Sequence, residues 1–458
     1  MGGILTGSEV DAPVAAGRRP RQWRPFVLNS LYLGGLLFAV PYLVCRGRTA
    51  QLVDHARRRF RSVPLRPGRR PCVWIHGVSV GEIFSTRKLL QKLVKEFPDW
   101  EAVISTTTRA GLEVAQRAFP GHAVFSYPFD LSFLVRKAFD RIRPDLVIIV
   151  EHELWPNFLG HAEARGVPVA IVNGRLSSRS LKGYRWLSRF LTWPPPGIVR
   201  FCVEDELSAE GFRGLGVAPD RICVTGNLKF DNTSVVREDF RTELGLNGDW
   251  VLVAASTHKG EEAVLLDSFR PLRTEDQKSR LIIAPRRIER VDELRRLARR
   301  RGFKTRLWSE TRAQNGSSAA RPLAPDDEVV LVDTVGEIPR ISSVGDVVFV
   351  GGSLVPFGGH NVIEPASLGR PVVIGPHYQN FRHVVAAFTD RDALLVADSG
   401  EDLARKLREL KSNPGHATAV GPRASETISL HSGASDRTID ALRPLFERVA
   451  AGHSVTSD

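Results

Sequence analysis

Short apolar runs alternate with amphipathic stretches along most of the chain after residue 72. The runs are four to six residues long and predict strands, whereas the stretches between them carry apolar residues at helical spacing. Continuous apolar strands interleaved with helices are typical of a parallel sheet covered on both faces. The predicted strands of the first half are CVWIH, EAVIST, HAVFSY, LVIIV, VPVAIV, RFCVE and ICVTG.

The same pattern begins again after residue 235, beyond a cluster of turn-forming residues at 225–240. Its predicted strands are WVLVAAS, RLIIAP, EVVLVD, DVVFVGG, PVVIG and ALLVA. We therefore predict an α/β protein with two Rossmann-like domains, at 51–235 and 236–458, that face a central cleft. The last segment, about 421–452, could be a helix that crosses back to the first domain.

The N-terminal region, residues 1–50, combines basic residues with an apolar segment. Residues 25–45 carry no charge and come close to the roughly 20 residues that a helix needs to cross a bilayer core. A helix lying in the membrane interface is the alternative. Residues 1–70 hold thirteen Arg and three acidic residues, which is +10 of the net charge of +13. We therefore expect an anionic membrane surface, and not nucleic acid, as the partner of this end.

Basic residues dominate on the C-terminal side of the apolar segment. Positive charge marks the cytoplasmic side of membrane segments. The sequence thus predicts a membrane anchor whose following domains lie in the cytoplasm.

Several common cofactor motifs are absent from the sequence. No G-x-G-x-x-G follows the first strand, and no GxxxxGK[ST] loop occurs, which argues against an NAD-dependent oxidoreductase and a P-loop enzyme. No H-x-x-x-H or strand-end D-x-D occurs either, so the sequence predicts no metal site.

Polar or charged clusters follow almost every predicted strand. The carboxyl ends of strands in a wound sheet face one crevice, where ligands bind. Helix capping explains any one of these residues alone, and Glu82 in particular suits the positive end of a helix dipole. A charge at the end of a buried strand usually has a partner or a ligand, so we expect the set to bind one. It includes Glu82, Glu151, Arg175, Lys229, Ser256, Arg286, Gly352 and Ser353.

The second half has the chemistry of a nucleotide site. The glycines of GGS (351–353) and GGHN (358–361) allow a ligand close to the backbone and would leave N–H groups free for a phosphate. Arg286 offers a planar fork for phosphate or carboxylate. Glu364 could accept hydrogen bonds from ribose hydroxyls, or could simply be a helix-end carboxylate. The first half, with Glu82, would then hold the acceptor.

Eight segments in this order give the chain a family resemblance. They are HGVSVGE, ELWPN, NGRLS, GNLKFD, STHKGEE, APR, GGSLVPFGGHNVIEPA and GPHYQNF. Together they resemble the 3-deoxy-D-manno-octulosonic acid (Kdo) transferases, over about residues 26–440. The sequence departs from the family at Arg287, where His is frequent, and at Pro356-Phe357, where a charged residue is common.

The resemblance implies a GT-B glycosyltransferase of lipopolysaccharide core biosynthesis. It would transfer Kdo from CMP-Kdo to a lipid A precursor with inversion, at the cytoplasmic face of the inner membrane. It would use no cofactor, since CMP-Kdo is a co-substrate, and no metal. The domain 51–235 would take the acceptor and 236–458 the nucleotide-sugar.

The resemblance also implies roles for individual residues. Glu82 matches the proton acceptor, and Glu151 and Lys229 match residues that assist the transition state. Candidate sugar or phosphate contacts are Gly352, Ser353, Arg175 and Ser256. The CMP-binding segments correspond to Pro285, Arg286, Val335, Gly336, Glu337, Asn361, Val362, Ile363 and Glu364.

Two other functions remain open on the sequence. One is a different GT-B enzyme, either a transferase or an epimerase, that uses a UDP-sugar. The other is a membrane-tethered binding protein without activity, against which the presence of Glu82, Lys229 and Arg286 argues.

Overall fold

The computed structural model describes most of the chain after residue 62. The described residues are 63–68, 70–151, 154–176, 197–232, 240–311 and 322–454, with 29, 30, 32, 34, 53, 56, 57, 59, 60, 181, 183, 184, 194 and 195.

The chain divides into two compact units. The first comprises Met1–Gly226 and Ser435–Asp458, and the second comprises Asn227–Ala434. This division comes earlier in the chain than the predicted boundary at 235/236, which lies outside the described residues. Phe230 is the physical reason, because its ring packs against Phe388 and His431 of the second unit.

A parallel sheet of seven strands forms the centre of the first unit, in the order β3-β2-β1-β4-β5-β6-β7. All five residues of β1 and of β4 are buried, as continuous apolar strands require. The strands are β1 (Cys72–His76), β2 (Glu101–Thr106), β3 (Ala123–Ser126), β4 (Leu146–Val150), β5 (Val169–Gly174), β6 (Ile198–Val203) and β7 (Ile222–Val224).

Helices and aromatic side chains complete the first unit. Trp74 of β1 packs against Phe125, Phe139 and Phe158, with ring centroids 4.9–5.6 Å apart. The helices are α1 (Val80–Ser85), α2 (Arg87–Glu96), α3 (Arg109–Ala118), α4 (Ser132–Ile142), α5 (Pro156–Ala164) and α6 (Glu206–Arg213).

The second unit repeats this plan with a second parallel sheet of seven strands, ordered β10-β11-β9-β8-β12-β13-β14. The strands are β8 (Trp250–Thr257), β9 (Ser279–Pro285), β10 (Thr305–Leu307), β11 (Val329–Leu331), β12 (Val347–Val350), β13 (Val372–Ile374) and β14 (Leu395–Val396). The helices are α7 (Phe240–Glu243), α8 (Glu261–Glu275), α9 (Val291–Arg300), α10 (Ile338–Val344), α11 (Ile363–Ser367), α12 (Arg382–Thr389), α13 (Gly400–Ser412) and α14 (Pro414–His431).

The last helix, α15 (Ala434–Ser454), belongs almost entirely to the first unit. Phe446 stacks on Phe97 at 4.3 Å and lies edge-on to Trp100 at 4.6 Å. These contacts bury an aromatic face of the helix that would otherwise be exposed to water. The chain therefore returns to the first unit after it completes the second.

The predicted α/β class with parallel sheets is confirmed in both units. The predicted membrane segment, 25–45, lies outside the described residues apart from four helical positions, 29, 30, 32 and 34. Within the part of the chain that the structure describes, no helix combines the length and the apolar character needed to span a bilayer.

Candidate active site

Each sheet has one point where the strand order reverses, and several of the predicted site residues follow or end the strands beside it. In the first unit the reversal lies between β1 and β4, which pair side by side. In the second it lies between β8 and β12, which also pair. The crevice beyond such a point is the usual ligand site of open α/β sheets. Glu82 and Glu151 follow β1 and β4, Ser256 lies at the end of β8, and the segment 351–353 follows β12.

Glu82 lies in the first turn of α1 and is only 9% exposed. Its Oε1 accepts a hydrogen bond from the Ser79 hydroxyl at 2.8 Å, and its Oε2 accepts one from the Val78 N–H at 2.7 Å. Ser79 in turn caps the helix by accepting the Glu82 N–H at 3.3 Å. The arrangement is close to a capping box, in which Ser and Glu satisfy the orphan N–H groups of a helix start. The capping role considered from the sequence is therefore present in the structure.

Three residues at strand ends have a left-handed backbone although they are not glycine. Glu151 (φ 63°) follows β4, Asn173 (φ 54°) lies at the end of β5, and Ser256 (φ 57°) lies near the end of β8. This conformation costs roughly 1–2 kcal/mol for a residue with a Cβ. Such strain clusters at functional sites, where the surrounding structure holds it in place. The backbone thus supports the selection of Glu151 and Ser256 as site residues.

Arg175 follows β5 directly and is half-buried. Beside it, the Asn173 side chain donates a hydrogen bond to Glu204 Oε1 at 2.7 Å, and both of these side chains are buried. This buried hydrogen bond ties the end of β5 to the end of β6. Arg175 is therefore carried on a rigid strand end next to β4.

Lys229 belongs to the second unit and not to the predicted first domain. It lies in a short 3₁₀ turn, Leu228–Asp231. Asn227 caps this turn, because its side chain accepts the Lys229 N–H at 2.9 Å. The ammonium lies 5.6 Å from the centroid of the Phe381 ring. A cation over an aromatic face is held in place without losing its charge.

Arg286 follows β9, the neighbour of β8, and its side chain is exposed. Its backbone N–H donates a hydrogen bond to the Thr257 carbonyl at 2.9 Å. This bond fixes the backbone position from which the Arg286 side chain extends. No hydrogen bond or ion pair joins its guanidinium to any residue that the structure describes. An unpaired fork at a strand end is suited to bind phosphate or carboxylate. Pro285, the residue before it, is buried.

Glu261, which the sequence analysis did not select, organises the loop after β12. Its carboxylate is fully buried and accepts four backbone N–H groups at 2.7–2.9 Å, from His258, Gly352, Ser353 and Leu354. The loop must pass close to it, because a Cβ on Gly351 would lie 2.9 Å from Oε2 and 2.6 Å from the Ser256 carbonyl oxygen.

The expectation that Gly352 and Ser353 offer free N–H groups to a phosphate is therefore wrong. Both groups are already bound by Glu261. The Ser353 hydroxyl is also used inside the fold, since it donates to the Val350 carbonyl and accepts the Gly375 N–H. A carboxylate within the chain takes the place that the sequence analysis gave to the ligand.

Two histidines stand beside this loop. His258 Nε2 lies 2.8 Å from His360 Nε2, and the two rings are nearly parallel. Phe357 stacks on His258 at a centroid distance of 4.0 Å. Burial is the main reason that the pKa of His360 is lowered to about 4, and the positive charges of His258 and Arg286 add to it. Arg286 begins beside the pair, because its backbone N–H donates to the carbonyl of Thr257, the residue before His258.

The remaining predicted nucleotide contacts differ in what they expose. Val335 is 73% exposed at the turn after β11, and Glu337 is buried and accepts from the Thr334 hydroxyl at 3.2 Å. The Asn361 side chain accepts the Ile363 N–H at 3.1 Å and so orders the start of α11. The side chains of Val362 and Ile363 lie in the core, so only their backbone could contact a ligand. Gly336 has a φ of 89°, and Glu364 lies half-buried in the first turn of α11.

Two buried polar residues of the first unit were also missed by the sequence analysis. His76 ends β1, shares a hydrogen bond with the Ser105 hydroxyl at 2.9 Å, and has its pKa lowered to about 3 by burial. Asp130 accepts the N–H groups of Asn157 and Phe158 and so caps α5 from another loop. His76 is the first residue of the segment HGVSVGE but lies inside β1, and Asp130 belongs to none of the eight family segments, so the sequence analysis selected neither.

No group of three or more His, Cys, Asp or Glu side chains suited to a metal ion occurs among the described residues.

Comparison with known proteins identifies the family. A family model described as 3-deoxy-D-manno-octulosonic-acid transferase (kdotransferase) matches residues 54–232. The 3-deoxy-D-manno-octulosonic acid transferase of Haemophilus influenzae is 30% identical over 383 residues, which cover 82% of this chain and 87% of that protein.

The chain belongs to the Kdo transferase family.

Solved structures extend the comparison to this Kdo transferase's fold. The UDP-GlcNAc 2-epimerase of Neisseria meningitidis, bound to UDP-GlcNAc, has a TM-score of 0.54 at 13% identity and covers 82% of this chain and 100% of that chain. That likeness shows a GT-B-like fold. The C-terminal CMP-Kdo binding domain of WaaA from Acinetobacter baumannii is 31% identical, covers 41% of this chain and 93% of that chain, and has a TM-score of 0.38.

Proposed function

We propose that this Kdo transferase moves Kdo from CMP-Kdo to a lipid A precursor in lipopolysaccharide core biosynthesis, with inversion at the anomeric carbon. The observation that carries the proposal is family membership, with 30% identity over most of the chain. The structure supports it through an unpaired, exposed Arg286 beside the reversal point of the second sheet. An anionic donor needs a cation of this kind at its phosphate.

In the proposed reaction Glu82 removes the proton of the attacking sugar hydroxyl. A hydroxyl is a weak nucleophile and needs its proton taken as the new bond forms. The two carboxylate oxygens of Glu82 accept hydrogen bonds from Ser79 and Val78 at the start of α1, and a carboxylate that accepts hydrogen bonds is still a base. Capping and proton abstraction are therefore compatible. The acceptor would bind to the first unit and the donor to the second.

Charge stabilisation on the donor side falls to the second unit in this proposal. CMP leaves as a phosphate anion, so Arg286 and Lys229 would stabilise the charge that develops on its oxygens. Glu151, held with a positive φ at the end of β4, would stabilise the positive charge that develops at the anomeric carbon. The segments 335–337 and 361–364 would hold the nucleotide, and Arg175 and Ser256 would contact the sugar or phosphate.

We further propose that the basic N-terminus and residues 25–45 attach the enzyme to the cytoplasmic face of the inner membrane. The support is the uncharged run and the Arg residues on either side of it. Each basic residue near an anionic lipid surface contributes about 1 kcal/mol of attraction. A lipid acceptor makes such attachment useful, because the acceptor itself resides in the membrane.

Donor competition separates this proposal from its alternatives. In a transfer assay with CMP-Kdo, we expect CMP to inhibit and UDP at the same concentration to leave the rate unchanged. Inhibition by UDP and not by CMP would support an enzyme that uses a UDP-sugar. Absence of any turnover with every donor, from a protein that binds CMP, would support a binding protein without activity.

A further inference from the structure

The contact between His258 and His360 restricts where protons can lie. Their Nε2 atoms are 2.8 Å apart, a hydrogen-bond distance at which two lone pairs, or two N–H groups, would repel. One Nε2 therefore carries a hydrogen and the other accepts it. The accepting ring, when neutral, carries its own hydrogen on Nδ1. The donating ring has a free lone pair on Nδ1.

The pair can therefore take up one proton without losing its internal hydrogen bond. That proton would go to the free Nδ1 of the donating ring and give the pair one positive charge. Neither Nδ1 hydrogen-bonds to a residue that the structure describes, and neither is a buried polar atom without a partner. Both Nδ1 atoms therefore reach solvent, where a bound anion could accept a hydrogen bond from them.

The pair lies at the reversal point of the second sheet. His258 directly follows β8, and His360 lies in the loop that follows β12. Gly352 makes the approach possible, because a Cβ there would lie 3.0 Å from the His360 ring. Phe357, 59% exposed, covers the other side of His258. The rings are thus held in one geometry at the place where ligands of this fold bind.

Two carboxylates act on His258 and offset part of the lowering of its pKa by burial, but both are already hydrogen-bonded within the fold. Glu261, Glu262, Arg286 and Arg290 are the charged groups that act on His258, and His258 and Arg286 are those that act on His360. Glu261 is occupied by four backbone N–H groups, and Glu262 pairs with Arg290 at 2.8 Å. The two carboxylates therefore serve the fold. Arg286 adds a second positive charge, so an anion from outside would be attracted.

We propose that His258, His360 and Arg286 form an anion subsite that binds one of the two negatively charged groups of the donor, the phosphate or the sugar carboxylate. The subsite rests on the proposed function, because CMP-Kdo carries both groups. Arg286 supplies a permanent charge, and the histidine pair supplies a charge that forms when the anion arrives. The pair is a positioning element of the donor.

Proton uptake follows from this arrangement. With the pKa of His360 lowered to about 4, the pair of the free enzyme is neutral at pH 7. A bound anion stabilises the protonated form, so binding draws in a proton and weakens as the pH rises. The phosphate of CMP itself ionises near pH 6. That ionisation acts equally in wild type and variant, so the difference between the two proteins is the readout.

The test is calorimetric binding of CMP and of cytidine to the full chain and to His360→Gln, together with the KM and kcat for CMP-Kdo. Gln keeps a polar group near Nε2 but does not titrate. We expect CMP to bind the variant about 10- to 100-fold more weakly, as for the loss of one charge-assisted hydrogen bond. The affinity for cytidine, which has no phosphate, should stay the same. The kcat for CMP-Kdo should change less than the KM. The pH dependence of CMP binding should also flatten. This result assigns the subsite to the phosphate.

An unchanged affinity for CMP with a KM for CMP-Kdo raised at least tenfold would assign the subsite to the carboxylate. Unchanged values for both ligands would overturn the proposal. His258→Gln provides a second variant if His360→Gln does not fold. His416→Gln is the matched control, because His416 lies on α14, outside the proposed subsite, and its side chain pairs with Glu409 of α13. If the wild type neither binds CMP nor transfers Kdo, the proposed function itself fails. If it does both and the variants behave as wild type, only the subsite fails.

Discussion

At the scale of single residues, buried carboxylates in this protein hold backbone N–H groups. Glu82 binds the start of α1, Asp130 binds the start of α5, and Glu261 binds the loop after β12. A carboxylate that accepts several N–H bonds is strongly stabilised. For Glu82 this means that a structural role and the proposed chemical role share one side chain, and the two roles can be separated by mutation.

Glu82→Gln should remove the base while an amide oxygen still accepts one hydrogen bond. We expect kcat for Kdo transfer to fall about 10²- to 10⁴-fold, the usual contribution of a general base, while CMP affinity stays within twofold. Ser79→Ala is the matched control, because it removes the cap and leaves the carboxylate. It should lower the free energy of unfolding by about 1 kcal/mol and kcat by less than tenfold. Equal losses of activity in both variants would mean that Glu82 acts only through the helix start.

Glu261→Gln tests whether the buried carboxylate holds the loop after β12, where the sequence analysis expected N–H groups free for a ligand. An amide has one acceptor oxygen, so two of the four N–H groups would face an NH₂ group instead. We expect the free energy of unfolding, measured in urea, to fall by about 2–3 kcal/mol, since buried unpaired donors cost 1–3 kcal/mol. Glu293→Gln, on an exposed side chain of α9, is the control and should change it little. A loss below about 0.5 kcal/mol in Glu261→Gln would contradict the structural role.

At the scale of elements, the ends of the central strands are where the backbone departs from regular geometry. Ser256 has a φ of 57°, and the register of β8 against β9 shifts beside it, between Ala255 and Thr257. The shift turns the chain so that Thr257 binds Arg286 through its carbonyl. At a strained position of this kind, two substitutions can test separately whether the fold needs a residue that tolerates a positive φ and whether the site needs the side chain.

Ser256→Gly and Ser256→Ala both remove the hydroxyl, and they differ in how well the new residue tolerates a positive φ. Glycine adopts a positive φ without cost, so we expect Ser256→Gly to raise the free energy of unfolding by up to about 1 kcal/mol relative to Ser256→Ala. Both variants lose the hydroxyl and should raise the KM for CMP-Kdo to the same extent, by about tenfold. Unfolding in urea and steady-state kinetics measure the two effects. A KM equal to that of the wild type in both variants would remove Ser256 from the donor site.

The strands and the carboxyl-end location of the candidate residues could be predicted from the sequence. Runs such as LVIIV are long enough to identify buried strands, and Glu151 follows directly from where that strand ends. The partners of Gly352 and Ser353 could not be predicted, because Glu261 is about 90 residues away in the chain and reaches them only through the pairing of β8 with β12. The same pairing brings His258 to His360. Sequence position gives no signal for a contact of this kind.

At the scale of the whole molecule, fold and function rest on different observations. The two parallel sheets are shared with a 13% identical UDP-GlcNAc 2-epimerase, so they are compatible with several reactions. Family membership selects Kdo transfer among these reactions. The charge is also unevenly distributed, since residues 1–70 hold most of the net positive charge, which agrees with the proposal that the acceptor is a membrane lipid.

The most direct measurement is mass spectrometry of the product after the full chain is incubated with CMP-Kdo and a lipid A precursor. We predict an acceptor whose mass has increased by whole Kdo residues, released CMP, and no such product with UDP-N-acetylglucosamine as the donor. Glu82→Gln should give little or none of it. An acceptor of unchanged mass, from wild-type protein that binds CMP, would contradict Kdo transfer as the function of this protein.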